Sequence, residues 1–304
     1  MQIVHHRAAF TVVSLLLGGS AFAGCSSTPS AGTIPRDAGA DTESAPVDAG
    51  LPDASVDSES FDTGTLLFSD ATAEASLSDQ SAACTHLNIG ILGNPGANAS
   101  SDFQMWLENA GTSVQRIQTT APTPPITAAT LQPFDVILLD WMTRDYTAAE
   151  AAVVASFVSA GGGLISLSGY DGVTADDWHA NSLLLPLEVA YTGALLNGPV
   201  TEFAPHPITA GLTSVTFAGG YAIADLGGAA STRTPIGFLQ NPQASGTVPV
   251  AYAVQTGSGH AFVWGDEWIE FDSEWSTMPQ IEQLWVQVFG WVSPMNKCAL
   301  QPPQ

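Results

Sequence analysis

Between residues 87 and 168 short apolar runs alternate with stretches of helical character, and this alternation limits the possible folds more than any other feature. Asp135-Val136-Ile137-Leu138-Leu139-Asp140 is apolar through its middle, the composition of a strand covered on both faces. Leu87-Asn88-Ile89-Gly90-Ile91-Leu92 has the same character and runs into the turn Gly93-Asn94-Pro95-Gly96. Further strands are expected at 113–118 and 164–168. A helix is expected at 101–110, with Phe103, Met105, Trp106 and Leu107 facing inward and Gly111 stopping it. A second should run from a Thr147 cap to Ala160 and end at Gly161-Gly162-Gly163. Strands and helices in this order describe βαβ units around a mostly parallel sheet.

Beyond Pro199 the pattern changes. Strand-like runs at 199–203, 214–217, 221–224, 235–239 and 248–254 follow one another without intervening helix, as an antiparallel extension would. His260-Ala261-Phe262-Val263-Trp264 then returns as a central strand. A closing helix at 278–292 carries Ile281, Leu284, Trp285 and Phe289 on one face.

Charge divides the rest of the chain. The 304 residues carry 29 Asp and Glu against 6 Lys and Arg, a net charge of −23. Such a chain repels phosphate backbones and anionic bilayer surfaces, so nucleic acid is excluded as a sequence-independent partner. Residues 26–80 hold eleven of the acids against Arg36 alone, in a loose Asp-Ala-Gly or Asp-Ala-Ser theme with no helical or strand period. That composition cannot bury enough apolar surface to offset ordering entropy, so a disordered stalk is expected. As a coil it spans roughly 40 Å.

Residues 1–24 have the form of an export signal: His5, His6 and Arg7 precede an apolar run from Ala8 to Leu17 that is too short for a permanent span. Phe22-Ala23-Gly24-Cys25 resembles the bacterial lipobox, whose cysteine is lipidated and becomes the mature N-terminus, with Phe22 where Leu is usual. The competing site is Ala21-Phe22-Ala23, an ordinary cleavage signal that would release a soluble secreted protein. The expected organisation is therefore signal peptide 1–24, lipidated Cys25 with an acidic linker to residue 80, and a folded domain at 81–304. The expected localisation is the bacterial envelope, through a lipid anchor in the outer membrane. With Cys25 acylated, Cys84 and Cys298 remain as a pair flanking the domain, and export permits a disulfide between them. Two unpaired buried thiols are the alternative.

The order and spacing of these segments resemble the class I glutamine amidotransferase-like superfamily, and within it the non-amidotransferase, trehalose-utilisation-like branches. The resemblance rests on the Gly93-Asn94-Pro95-Gly96 turn, residues 134–141, Gly161-Gly162-Gly163-Leu164-Ile165-Ser166-Leu167, His206-Pro207-Ile208-Thr209-Ala210-Gly211-Leu212 and Gly259-His260-Ala261-Phe262-Val263-Trp264-Gly265-Asp266. It implies an α/β fold of three layers: a flavodoxin-like, mostly parallel sheet, here with the antiparallel β extension.

In such sheets ligands bind beyond the carboxyl ends of the strands. That edge would collect Asn94, Asp140, Trp141, Tyr170, Asp171, Asp266, Glu267 and Trp268. Glutaminases of the superfamily place a cysteine nucleophile on the turn after a central strand. The matching turn here, Leu167-Ser168-Gly169-Tyr170-Asp171, has none, which argues against that chemistry. Ser166 and Ser168 lie outside any G-x-S-x-G elbow and read as ordinary strand serines. Lys297, alone in a tail, offers no Schiff base.

The densest group of acids is Asp266-Glu267-Trp268-Ile269-Glu270-Phe271-Asp272-Ser273-Glu274-Trp275. Its carboxylates could ligate a hard cation, with Asp266, Glu270 and Asp272 as candidates. They could also supply an acid–base pair for glycoside hydrolysis, with Asp140, Asp266 or Glu267. A solvated acidic loop is the default expectation, and Asp176-Asp177-Trp178-His179 is a smaller case of the same kind. His206 and His260 read as structural. Trp141, Tyr170, Trp178, Trp268 and Trp275 could stack on sugar rings, or could cap the core beneath the loops. No cofactor is implied. The expected function is a non-catalytic binding or interaction module at the membrane, for carbohydrate or an envelope protein, with a carboxylate-dependent hydrolase as the alternative.

Overall fold

The computed structural model describes residues 86–94, 100–119, 121, 124–169, 178–241, 245–278, 280–297 and 300. Every described residue belongs to one unit, within 74–304. The signal, the acidic stalk, Cys25, Cys84, Cys298, Tyr170, Asp171, Asp176 and Asp177 lie outside the described residues.

The apolar runs form strands β1 (Asn88–Leu92), β2 (Ser113–Ile117), β3 (Val136–Leu139) and β4 (Gly163–Leu167). Helix α1 (Ser101–Asn109) joins the first two, α2 (Ala128–Leu131) precedes β3, and α3 (Ala148–Ser159) joins β3 to β4. After α4 (Asn181–Leu184) come β5 (Val189–Val200), β6 (Glu202–Phe203), β7 (Val215–Asp225), β8 (Thr232–Gln240), β9 (Thr247–Thr256) and β10 (Gly259–Trp264). Helices α5 (Asp272–Trp275) and α6 (Ile281–Val292) close the order. Eight strands make one sheet in the order β2-β1-β3-β4-β10-β9-β8-β6, and β5 pairs with β7 in a second. The pairings from β2 through β10 are parallel, and those of β9, β8 and β6 are antiparallel. The fold is thus α/β and flavodoxin-like, with an antiparallel extension.

Strand periodicity explains the three layers. Val136 and Leu138 point to the side where Phe103, Trp106, Leu284, Trp285 and Phe289 of α1 and α6 pack. Ile137 and Leu139 point to the other, where Val154 and Val158 of α3 pack. All four strand residues are fully buried, which is why β3 reads as continuously apolar. The chain runs from β1 out to β2 and then back past β1 to β3, so strand direction of travel switches between β1 and β3. Beyond the carboxyl ends of those two strands is where such sheets take ligands.

Three boundaries differ from expectation. Residues 214–217 and 221–224 belong to one strand, β7, because Gly219 (φ 89°) and Gly220 bend it through an irregular register instead of breaking it. The run at 199–203 divides between β5 and β6, which sit in different sheets. The closing helix begins at Ile281 and not at 278, since Met278 precedes Pro279, whose ring disfavours helical backbone there.

Candidate functional site

The carboxyl edge is assembled by close backbone approaches. A Cβ on Gly93, at the end of β1, would fall 1.8 Å from the Asp140 carbonyl oxygen, and the residue has φ 111°. Glycine is required there twice over. The Asn94 N–H donates to the Trp141 carbonyl at 3.3 Å, tying the ends of β1 and β3. Trp141 itself has φ 42°, a left-handed conformation that costs an aromatic residue roughly 1–2 kcal/mol and persists only where neighbours impose it.

Asp140 follows β3 directly and is fully buried. Arg116, at the far end of β2, reaches across β1 to donate from Nη1 to Asp140 Oδ2 at 2.5 Å and to the Asn94 carbonyl at 2.8 Å. From the other side, the chain leaving β10 makes a 3₁₀ turn, Trp268–Glu270. Glu267 at the cap of this turn and Glu270 at its end are three residues apart, a spacing that places them on the same side. Trp285 of α6 holds the turn by donating from Nε1 to the Ile269 carbonyl at 2.8 Å. Carboxylate oxygens of Asp140, Glu267 and Glu270 all lie within 4.8 Å of one another. The end of β4 closes on the same point, because a Cβ on Gly169 would fall 2.3 Å from Glu267 Cγ.

Burial dominates the electrostatics. Asp140 is 0% exposed, Glu267 3% and Glu270 0%. Loss of water pushes the Asp140 carboxyl up, and the Arg116 charge opposes that rise. Burial, reinforced by the nearby Asp140 charge, lifts Glu270 well above the usual carboxylate range. Asp140 Oδ1 and both oxygens of Glu270 receive no hydrogen bond from any N–H or O–H among the described residues. Two carboxylates can bond to each other only through a shared proton, so Glu270 has no other partner among the described residues.

The acidic run is therefore not a solvated loop. Asp266, Glu267, Glu270 and Glu274 are all buried, because α1, α6, β4 and β7 fold over a segment that local composition marks as surface. Its members also separate in role. Asp266 turns away from the cluster and accepts from the Ala218 N–H at 2.5 Å and the Trp268 N–H at 3.2 Å, fastening β7 to the end of β10. Burial pushes it up to about 7 against those bonds. Asp272 sits at the start of α1, accepting from Asp102 N–H at 2.8 Å and Ser101 Oγ at 2.7 Å. It caps that helix from a distant segment. Of the cation candidates Asp266, Glu270 and Asp272, only Glu270 enters the cluster.

The other expected residues take these positions. Trp275 is half-buried and packs against the core, on Phe103 and Trp106, with ring centroids 6.1 and 5.5 Å away. Trp178 is 38% exposed and meets Tyr221 edge-on. Trp141 and Trp268 are half-buried beside the cluster's acids in the chain. His206 and His260 pack against Trp291, at the amino end of β10, away from the carboxyl edge; burial holds both below the ordinary imidazole range. Ser166 is buried and within hydrogen-bond distance of Tyr191 Oη, at 2.8 Å. Arg116 escaped the sequence reading. Its signal was available, since Arg116, Arg144, Arg233 and Lys297 are the only cationic side chains after residue 80 besides histidine, and Arg116 lies in the carboxyl half of the strand expected at 113–118.

No family model matches the sequence, and no curated protein matches it. Solved structures do resemble the fold. The N-terminal domain of mmIFT52 superposes with a TM-score of 0.54 at 15% identity, over 67% of this chain and 96% of that one. A cytoplasmic protein of Salmonella typhimurium LT2 gives 0.50 at 14% identity, over 68% and 100%. These two likenesses are of fold. A structure described as ThuA-like, from Bacteroides uniformis, gives 0.48 at 16% identity, over 72% and 96%.

Proposed function

We propose that this protein is an envelope-anchored lipoprotein whose domain, of class I glutamine amidotransferase-like type, works as a binding module for carbohydrate and not as a glutaminase. The observation that carries this reading is the turn after β4. Where a glutaminase would present cysteine, this chain has Ser168 and Gly169, and Gly169 packs so closely on Glu267 that a side chain there would collide with it. The acids at this edge are drawn inward and buried. Glycoside hydrolysis needs two carboxyls facing each other across the scissile bond, roughly 5–9.5 Å apart. Asp140, Glu267 and Glu270 are at most 3% exposed and so present no open face to a sugar, which weighs against the hydrolase alternative. Trp141 and Trp268, chain neighbours of Asp140 and Glu267, supply the aromatic faces that a saccharide ring would use.

Titration calorimetry of the protein against a panel of bacterial and host saccharides tests the module. Binding that weakens at least tenfold in Trp268→Ala is expected, and absence of binding to the whole panel removes the carbohydrate reading. The anchor is tested separately. Acylated protein should partition into the detergent phase and Cys25→Ser into the aqueous phase; equal release of both would leave the Ala21-Phe22-Ala23 cleavage in its place.

A further inference from the structure

We propose that Asp140, Glu267 and Glu270 bind a hard divalent cation, of the Mg²⁺, Mn²⁺ or Ca²⁺ class, at the carboxyl edge of the sheet. This goes beyond the carbohydrate-module reading and stands or falls apart from it.

The first support is convergence. The three side chains come from the end of β3 and from either end of the 3₁₀ turn after β10, and their oxygens lie within 4.8 Å of one another. Ligand oxygens 2.0–2.6 Å from a shared ion are separated by about that distance or less. The second support is independent of the clustering. Glu270 is fully buried with both oxygens unpartnered among the described residues, and Asp140 Oδ1 is unpartnered as well. A native interior rarely leaves such acceptors unmade unless an ion, a water or a proton completes them. The third is the supply of positive charge. Arg144 is engaged by Glu150, Arg233 by Glu188 and Asp225, and Lys297 by Asp135. Only Arg116 touches the cluster, through Asp140 Oδ2. One guanidinium faces three buried carboxylates, and no other Lys or Arg after residue 80 is left to join it. The donor set is all oxygen, with no histidine or cysteine, which selects hard ions over zinc or copper. A single proton could bridge Asp140 and Glu270 alone, whereas a cation would draw a ligand oxygen from each of the three.

The test uses the full chain stripped with EDTA. Mn²⁺ is titrated and the free ion followed by its paramagnetic resonance signal, and melting temperature is recorded with Mn²⁺, Ca²⁺ or Mg²⁺ in turn. The expected result is one saturable equivalent that raises the melting temperature and is weakened at least tenfold in both Glu267→Gln and Glu270→Gln. Each variant is checked for the wild-type far-ultraviolet circular dichroism spectrum. The acidic stalk will hold ions weakly, but that fraction persists in the variants and does not move the melting temperature. The proposal is overturned if none of the three ions, at about 10 mM, well above the weakest extracellular calcium modules, raises the wild-type melting temperature. It is equally overturned if a folded variant responds as the wild type does. A proton shared by Asp140 and Glu270 is then what occupies the site.

Discussion

Replacing Glu150 with Gln should destabilise the protein by roughly 3 kcal/mol near neutral pH, and the loss should fade in acid. Glu150 sits in the first turn of α3 and is 3% exposed. Its Oε1 accepts from Arg144 Nη2 at 2.6 Å and from the Ile126 N–H at 3.0 Å. Its Oε2 accepts from the Thr147 N–H at 2.9 Å and Thr147 Oγ1 at 3.0 Å, completing a capping box. Arg144 in turn donates to the Thr119 carbonyl at 3.0 Å and stacks 3.8 Å over the Tyr146 ring. This one carboxylate therefore ties α3 to the loops that follow β2 and β3 at the ligand edge. The Arg144 bond, followed by the backbone N–H groups of Thr147 and Ile126, holds it down from 4.5 to about 2 despite burial. At about 1.4 kcal/mol per pH unit, that depression corresponds to roughly 3 kcal/mol of folding stability. The folded value lies below the unfolded one, so the contribution is complete above about pH 5 and is lost as pH falls toward 2. Urea unfolding followed by tryptophan fluorescence, on wild type and Glu150→Gln at a series of pH values, measures the gap. It should be roughly 3 kcal/mol near pH 7 and about half that near pH 3. A gap under about 1 kcal/mol at neutral pH, the worth of an exposed pair, or one of equal size at both pH values, would refute the reasoning.

Three further outcomes are expected. Arg116→Met removes the only cation touching Asp140 among the described residues and leaves a fully buried carboxylate, a change that costs about 3–5 kcal/mol; because Arg116 is 21% exposed, urea unfolding in EDTA should give the lower end, and a loss below about 1 kcal/mol would show that Asp140 is compensated by other means. Gly220→Ala places a Cβ 2.2 Å from the Gly265 carbonyl oxygen and 2.8 Å from Asp266 Cβ, so thermal unfolding should show a loss of at least about 1–3 kcal/mol, and an unchanged melting temperature would mean that β7 and the end of β10 lie farther apart. Non-reducing peptide mapping of exported protein should recover Cys84 and Cys298 in one linked fragment; recovery of both as free thiols excludes the bridge.

Where local pattern carries the information, the sequence read closely. The helices after β1 and β3 and the parallel strands around them follow from apolar spacing, from the Thr147 cap and from the glycines that stop the helices. Gly219 and Gly220 misled in the 214–224 region because a bulge and a chain break have the same composition. Asp140, Glu267 and Trp141 were placed at the carboxyl edge by strand order alone, while Arg116 entered only once β2 was seen to lie beside β1.

The sequence by itself determined the layered α/β fold and the five strands of its parallel core. Periodicity and stop signals act within a few residues, so one chain suffices to read them. Only the tertiary structure decided what the acidic run after β10 does. Asp272 is used at the start of α1, Asp266 at β7, and Glu267 and Glu270 are enclosed with Asp140 by residues from β3, β4 and α6. Burial of a carboxylate is set by neighbours distant in the chain, and a local run of charge, which on its own signifies water, cannot announce it.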